Sequence, residues 1–148
     1  MLEGKITNLT KIYFAGSIRG GRDDVELYRS IIEHLKTHGE VFTEHVGDTE
    51  LEMREEEKDN DCYIHDRDMN WLFASDIVVA EVTQPSLGVG YEIGRAVERK
   101  KYILCLYRPK KGKKLSAMIN GNPQLVVKEY QSLEEVKKII DTFIQNNS

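Results

Sequence analysis

Two carboxylates and two glycine-rich turns carry the chemistry that this sequence offers. Glu92 stands in Leu87-Gly88-Val89-Gly90-Tyr91-Glu92, just after Thr83-Gln84-Pro85-Ser86 and the apolar run Ile77 to Ala80. The run is rich in β-branched residues and reads as a strand covered on both faces. From Leu87 the spacing turns helical, with Val89, Ile93 and Val97 at i, i+4 and i+8. Glu92 thus falls in the first turns of a helix, where the dipole favours an anion. Ser86 and the Gly88 and Gly90 backbone lie at the same helix start, a place suited to binding phosphate. Gly90 and Gly94 strip one side of the helix bare. The plainer alternative is a Glu that only complements the dipole, with glycines for helix–sheet packing.

Asp68 is the second carboxyl. Cys62 to Ser75 reads as a helix whose apolar stripe runs through Ile64, Trp71 or Leu72, and Ser75. Asp68 falls on that stripe, four residues from Ile64. A carboxylate facing a core is costly unless it is paired or put to use. Burial favours the protonated form of such a group, which suits a proton donor. The alternative is a buried cap or salt bridge. His65 lies one residue off the stripe and reads as a surface or structural histidine.

The second glycine turn follows the first strand, Lys11 to Gly16. It runs Gly16, Ser17, Ile18, Arg19, Gly20, Gly21, Arg22. Glycines between a strand and a helix suit a phosphate-cradling loop, and Arg19 and Arg22 add guanidinium donors. The spacing is neither G-x-G-x-x-G nor a Walker A sequence, so no dinucleotide or triphosphate site follows. Asp23 or Asp24 would cap the next helix, which carries Leu27, Ile31 and Leu35 on one face, and Gly39 would end it. Two carboxyls beside anion sites suit cleavage of a glycosidic bond. One carboxylate attacks the anomeric carbon and another acid protonates the leaving group. Tyr13, on the first strand, points to the same end and could orient the nucleophile.

The rest of the chain reads as a scaffold for these groups. Strands are expected at Val41–His45, Tyr102–Tyr107 and Gln124–Lys128, with an apolar helical segment over Leu115–Ile119. A capping box, Ser132 with Glu135, opens a last helix whose apolar face is Val136, Ile139, Ile140 and Phe143. Strands alternating with helices predict an α/β fold, Rossmann-like and specifically flavodoxin-like: a five-stranded parallel sheet with helices on both faces. The 148 residues suit a single domain. Residues 1–10 read as a flexible N-terminus and 47–61 as a mobile acidic loop.

Hydrophobic residues make up 40% and charged residues 31%, with a formal net charge of -4, which argues against a nucleic-acid polymer as partner. No apolar run approaches the roughly 20 residues of a membrane span. Residues 1–10 show no signal-peptide core, so a cytoplasmic chain is expected, with the nucleus also open to it. Cys62 and Cys105 fit neither metal nor redox spacing, and Cys105 reads as a small buried side chain. No metal or cofactor is expected.

Long motifs carry a family resemblance. Tyr13–Arg22 (Y-F-A-G-S-I-R-G-G-R), Thr43–His45 (T-E-H), Ile64–Leu72 (I-H-D-R-D-M-N-W-L), Val78–Val97 (V-V-A-E-V-T-Q-P-S-L-G-V-G-Y-E-I-G-R-A-V), Ile103–Pro109 (I-L-C-L-Y-R-P) and Leu115–Ile119 (L-S-A-M-I) resemble one family. It is the 2′-deoxynucleoside 5′-monophosphate N-glycosidases of the nucleoside 2-deoxyribosyltransferase superfamily. The resemblance spans Lys11 to Tyr130 and implies hydrolysis of such nucleotides to a free base and 2-deoxyribose 5-phosphate. It implies Glu92 as a nucleophile forming a covalent glycosyl-enzyme, Asp68 as the acid assisting base departure, and Tyr13 as the residue positioning the nucleophile. It implies nucleotide and phosphate binding by the Gly16–Arg22 loop, Ser86 and Gly88. It further implies a homodimer in which Ser116, Ala117 and Met118 complete the neighbouring subunit's phosphate site. Rival readings are a ribonucleotide (CMP-type) hydrolase, a deoxyribosyltransferase, and a catalytically silent nucleotide-binding module.

Overall fold

The computed structural model describes residues 10–18, 22–45 and 61–147. Among the described residues five strands and five helices alternate: β1 (Lys11–Gly16), α1 (Arg22–Leu35), β2 (Glu40–Thr43), α2 (Asp61–Ala74), β3 (Ile77–Glu81), α3 (Leu87–Glu98), β4 (Tyr102–Tyr107), α4 (Ala117–Asn120), β5 (Val126–Glu129) and α5 (Leu133–Asn146). All strand pairs are parallel, and the sheet order is β2-β1-β3-β4-β5. This is the expected flavodoxin-like α/β architecture. The order reverses between β1 and β3, the switch point where such sheets open a crevice.

Strand alternation sorts the core into two layers. Ile12, Phe14, Ile77, Val79, Leu104 and Leu106 meet residues of α1 and α5, including Ile31, Leu35, Val136 and Ile140. Tyr13, Ala15, Val78, Ala80, Ile103 and Cys105 meet Met69 and Leu72 of α2 and Val89, Ile93 and Ala96 of α3. Because β1 feeds α1 on one face and β3 feeds α3 on the other, the loops leaving these two strands part at their C-terminal ends. Tyr13 belongs to the α2/α3 layer, which decides the side of the sheet where its chemistry lies.

Several local expectations shift. β2 ends at Thr43, which frees Glu44 and His45 from the ladder. β5 begins at Val126, because Asn122 through Leu125 form a turn closed by Leu125 N to Asn122 O at 3.1 Å. Asp61, assigned above to the acidic loop, opens α2. The rest of that loop, 47–60, lies outside the described residues, as do residue 46 and residues 1–9. Thr10 is tied down, its carbonyl accepting from Glu40 N at 2.9 Å. Asp24 is an ion-pair partner rather than a cap, with Oδ1 at 3.1 Å from the Arg108 guanidinium. The expected capping box at α5 is present in modified form. Ser132 Oγ accepts from Glu135 N at 3.3 Å, and the Glu135 carboxylate accepts from Gln131 N.

Gly39 has a different reason to be glycine from the helix stop expected of it. Helix α1 ends four residues earlier, and the positive-φ glycine among the described residues is Gly112. A Cβ on Gly39 would instead lie 2.3 Å from the Thr10 carbonyl oxygen, at the point where β2 comes alongside β1. Backbone cannot yield as a flexible side chain can. Gly39→Ala should therefore cost about 1–3 kcal/mol, typical of overpacking, read as a lower urea midpoint at unchanged slope. A neutral substitution would show that this edge of the sheet yields freely.

Candidate active site

Four side chains from four elements converge at the C-terminal end of the sheet. Tyr13 of β1 is fully buried, and its phenol donates a hydrogen bond to Glu92 Oε2 of α3. Asp68 of α2 and Glu92 are both buried. Glu44, just past β2, supplies a third carboxyl, and one oxygen from each of Glu44, Asp68 and Glu92 lies within 4.8 Å of the others. The structure thus brings together Tyr13, Asp68 and Glu92, as the sequence expected, and adds Glu44, to which no role had been given. Its sequence signal was weak, a lone Glu at a strand end. Only its place within Thr43-Glu44-His45, part of the family resemblance, marked it.

Three acids in one dry pocket cannot all ionise cheaply. Burial first, then the hydrogen bond and charge of Asp68, push Glu44 up to about 9. Burial pushes Glu92 up to about 7, opposed by the Tyr13 hydrogen bond and reinforced by the Asp68 charge. The helix dipole was expected to keep Glu92 ionised; burial outweighs it, because Glu92 lies beyond the first turn where the dipole acts. Desolvation and the adjacent Glu92 and Asp68 charges hold the Tyr13 phenol protonated, so it acts as a donor. Asp68 is also salt-bridged, accepting from Arg67 Nε at 3.1 Å. That guanidinium lies 4.8 Å from the centre of the Trp71 ring, which stacks on Phe42. Asp68 therefore combines the two readings open to it in sequence, an ion pair and a member of the acid cluster.

The groups expected to bind phosphate fall into three places. Gly16 and buried Ser17 close β1, and Ile18 is exposed at the mouth. His45 Nε2 donates to the Gly16 carbonyl at 2.9 Å while its ring packs edge-on to Phe14 and Tyr28. Burial lowers its pKa, so a neutral ring pins the start of the glycine loop. Arg19, Gly20 and Gly21 lie outside the described residues, and Arg22 is described only as the first backbone position of α1. Ser86 caps α3, its Oγ accepting from Val89 N at 3.2 Å. That bond uses a lone pair and leaves the hydroxyl proton to donate. Gly90 is not an anion donor, because its N–H already bonds Ser86 O at 3.1 Å. A Cβ on Gly90 or Gly94 would meet nothing within 4 Å, so these glycines bare a surface and do not serve helix–sheet packing.

Ser116, Ala117 and Met118 sit apart on the surface. Ser116 caps the short α4, accepting from Met118 N at 3.1 Å, and no residue of α4 is buried. Met118 is 82% and Leu87 97% exposed.

A second buried network braces the loop from behind. Glu81, at the end of β3, accepts from Tyr130 OH and Thr83 Oγ1, each at 2.6 Å, and from Thr83 N at 3.1 Å. Arg108 N donates to Thr83 Oγ1 at 2.8 Å, while its guanidinium reaches Asp24 in the first turn of α1. Sequence reading missed Glu81, since inside an apolar strand it looked like a strand end. Among the described residues two clusters have metal-ligand spacing, the acid triad and His34–His38–Asp141. The triad would need its carboxyls ionised to hold a hard cation, which the raised pKa values of Glu44 and Glu92 oppose.

Residues 12–126 match the family model described as Nucleoside 2-deoxyribosyltransferase. The chain belongs to this family. A Tetraodon nigroviridis relative named 5-hydroxymethyl-dUMP N-hydrolase is 53% identical, with 92% of this chain and 98% of the relative covered. The Homo sapiens protein of the same name is 51% identical, covering 90% and 79%. A Nematostella vectensis relative, provisionally named 2′-deoxynucleoside 5′-phosphate N-hydrolase 1, is 59% identical over 96% and 97%. Among solved structures, the Clostridium botulinum CMP N-glycosidase superposes with a TM-score of 0.67 at 17% identity, covering 90% of this chain and 99% of that one. At that identity the likeness speaks for the fold of the deoxyribosyltransferase family and not for the substrate.

The acid cluster should weaken the fold as pH rises. Unfolded, each Glu titrates near 4.5; folded, Glu92 titrates at about 7 and Glu44 at about 9. A raised folded pKa contributes stability that is complete below about 4.5 and is lost as pH climbs through the folded value. Glu44→Gln should therefore melt several degrees above wild type at pH 8–9, at about 3 °C per kcal/mol for a domain of this size. The gap should close near pH 4.5. Equal melting at pH 9 would mean that the acids are not desolvated together.

Proposed function

We propose that the protein hydrolyses the N-glycosidic bond of 2′-deoxynucleoside 5′-monophosphates, releasing a free base and 2-deoxyribose 5-phosphate. The observation that carries this reading is a buried Glu92 held by Tyr13 OH of β1, with two further carboxyls within 4.8 Å, at the sheet switch point. The separation suits a retaining pair, about 5–5.5 Å between carboxyls, rather than the roughly 6.5–9.5 Å that admits a water between them. The names of the relatives support the same substrate class and make 5-hydroxymethyl-dUMP the first compound to test.

In the proposed reaction Glu92 Oε attacks C1′ as the C1′–N bond breaks, and its electron pair leaves with the base. The proton for that base comes from Asp68, backed by Glu44, which holds a proton at neutral pH. Tyr13 orients the attacking carboxylate. Water, deprotonated by the same acid pair, then attacks C1′ and releases Glu92. The glycine loop, Ser86 and the Gly88 N–H supply the donors for the 5′-phosphate; hydrogen bonds to a dianion are worth about 1.5–3 kcal/mol each. The chain would work as a homodimer in the cytoplasm or nucleus. Ser116 and Met118 on exposed α4, with the bare Leu87–Gly90–Gly94 side of α3, would form the surface that meets the partner's site.

Chromatographic assay of base release from a panel of dNMPs and NMPs tests the reading. Release from dNMPs is expected. Cleavage of NMPs alone would move the assignment to a ribonucleotide hydrolase, and binding without cleavage would leave a silent module. kcat/KM should rise with pH through about 7 as Glu92 ionises and fall above about 9 as Glu44 loses its proton. Glu92→Gln should be inactive with every leaving group. Asp68→Asn should lose about 10²–10⁴-fold and recover with a base that departs unprotonated; equal recovery of both variants would overturn the roles.

The shared site has its own test. Mixing inactive Glu92→Gln with inactive Ser116→Trp should restore about a quarter of wild-type activity if each subunit completes the other's site, from statistical pairing of closed dimers. No recovery on subunit exchange, or a fully active monomer by sedimentation, would remove Ser116 from the site.

A further inference from the structure

On the face of the sheet opposite the acid cluster, three ligating side chains converge between α1 and α5. His34, in the last turn of α1, and His38, four residues on, both bring Nε2 to 2.7 Å from Asp141 Oδ1 of α5. The two imidazoles stand edge-to-face with centroids 5.6 Å apart. We infer that His34, His38 and Asp141 form a binding site for a divalent transition-metal ion of the Zn²⁺ class. This goes beyond the hydrolase reading and does not depend on it.

Four features of the cluster argue for a metal. The spacing i, i+4 puts two imidazoles on one side of a helix end, and the carboxylate closes the third vertex from another element. Two nitrogens and one oxygen suit Zn²⁺, Co²⁺ or Ni²⁺ and are too few and too soft for Mg²⁺ or Ca²⁺. A tetrahedral ion with bonds of about 2.0–2.2 Å needs neighbouring ligands about 3.3 Å apart. From 2.7 Å each histidine must part from Asp141 by only a fraction of an ångström, the three ligand atoms already lying within 4.8 Å of one another, and Asp141, half exposed, has room to withdraw. Each ring would move its proton from Nε2 to Nδ1 through solvent, freeing the Nε2 lone pair, and a water would complete the fourth position. The carbonyl end of α1 also carries the negative pole of its dipole, which favours a cation there.

The ion would clamp the first helix to the last. Its ligands are separated by 107 and 103 residues in sequence, and α1 and α5 cover one whole layer of the core. Metal binding would thus stabilise the fold by mass action at a distance from the reacting groups.

Calorimetric titration of Zn²⁺ into the chelator-stripped full chain is the direct test. Wild type should bind one ion at this site, with no competition from millimolar Mg²⁺. Asp141→Asn should weaken binding at least about tenfold, the cost of one of three ligands, and the His34→Gln/His38→Gln pair should abolish it. Glu44→Gln/Glu92→Gln, which removes the acid cluster, should leave it intact. Co²⁺ at the site should give visible bands without a thiolate charge-transfer band, which separates it from exposed Cys62. Zn²⁺ at about a hundred times its Kd should raise the melting temperature by about 5 °C or more in wild type and not in the histidine pair. Binding that survives loss of both histidines, that Mg²⁺ displaces, or that is absent in wild type overturns the site.

Discussion

Desolvation of the acid cluster is the constraint on which the rest of the structure depends. Glu92 lies under the end of β1, where Tyr13 OH is its donor and Asp68 and Glu44 are its neighbours. Water would let all three acids ionise and would leave none of them holding a proton at neutral pH. Burial separates them instead: Glu44 keeps its proton to about 9, while Glu92 is poised at about 7. The same pocket therefore holds a group able to attack and a group able to donate, which is the division of labour that bond cleavage between a sugar and a base requires. The cost is a fold that holds three carboxyls together away from water, and the two apolar layers of the sheet must outweigh it.

The sheet supplies that stability and also the geometry. Strand β1 places Tyr13 on one face and Phe14 on the other by simple alternation. Phe14 packs with Tyr28 and His45, and His45 fixes the Gly16 carbonyl. One residue's step along the strand thus links the acid cluster to the start of the glycine loop. On the far side Glu81, Thr83, Tyr130 and Arg108 hold Asp24, so the helix that leaves the loop is fixed from β4 as well. Buried polar networks of this kind are stable only when satisfied throughout. Glu81 is such a case, with three donors on its two oxygens.

The two faces of the molecule divide the work. The α2/α3 layer carries the acids, the capped helix start at Ser86 and the bare glycine side of α3. Among the described residues the α1/α5 layer carries no acid cluster of that kind; it packs an apolar core of its own and places His34, His38 and Asp141 at its surface. A groove between β5 and α5, lined by Val126, Lys128, Lys138 and Ile139, lies on this side too and holds no paired carboxyls. Concavity alone points to this side of the sheet, whereas perturbed acids with a shared donor point to the other, and clusters of that kind gather at functional sites.

Much of this was legible in the amino-acid sequence. Apolar runs at Ile77–Ala80 and Tyr102–Tyr107, and helical spacing from Leu87, gave strands and helices within a residue or two, because both signals are local and periodic. Asp68 announced itself as a carboxylate out of place on an apolar stripe. Glu44 and Glu81 did not, since an acid at a strand end looks the same whether it meets solvent or a buried partner. What was decided only in three dimensions was which groups share a dielectric. Glu92 seemed set to be ionised by its helix, yet its burial against Tyr13 and Asp68 wins, and the proton-holding acid is the unflagged Glu44. Gly39 likewise looked like a helix stop, when its reason is the Thr10 carbonyl 2.3 Å from where a Cβ would stand. Sequence specifies what each segment can do alone; contacts between residues dozens of positions apart set charge, clearance and reactivity, and these exist only once the chain has folded.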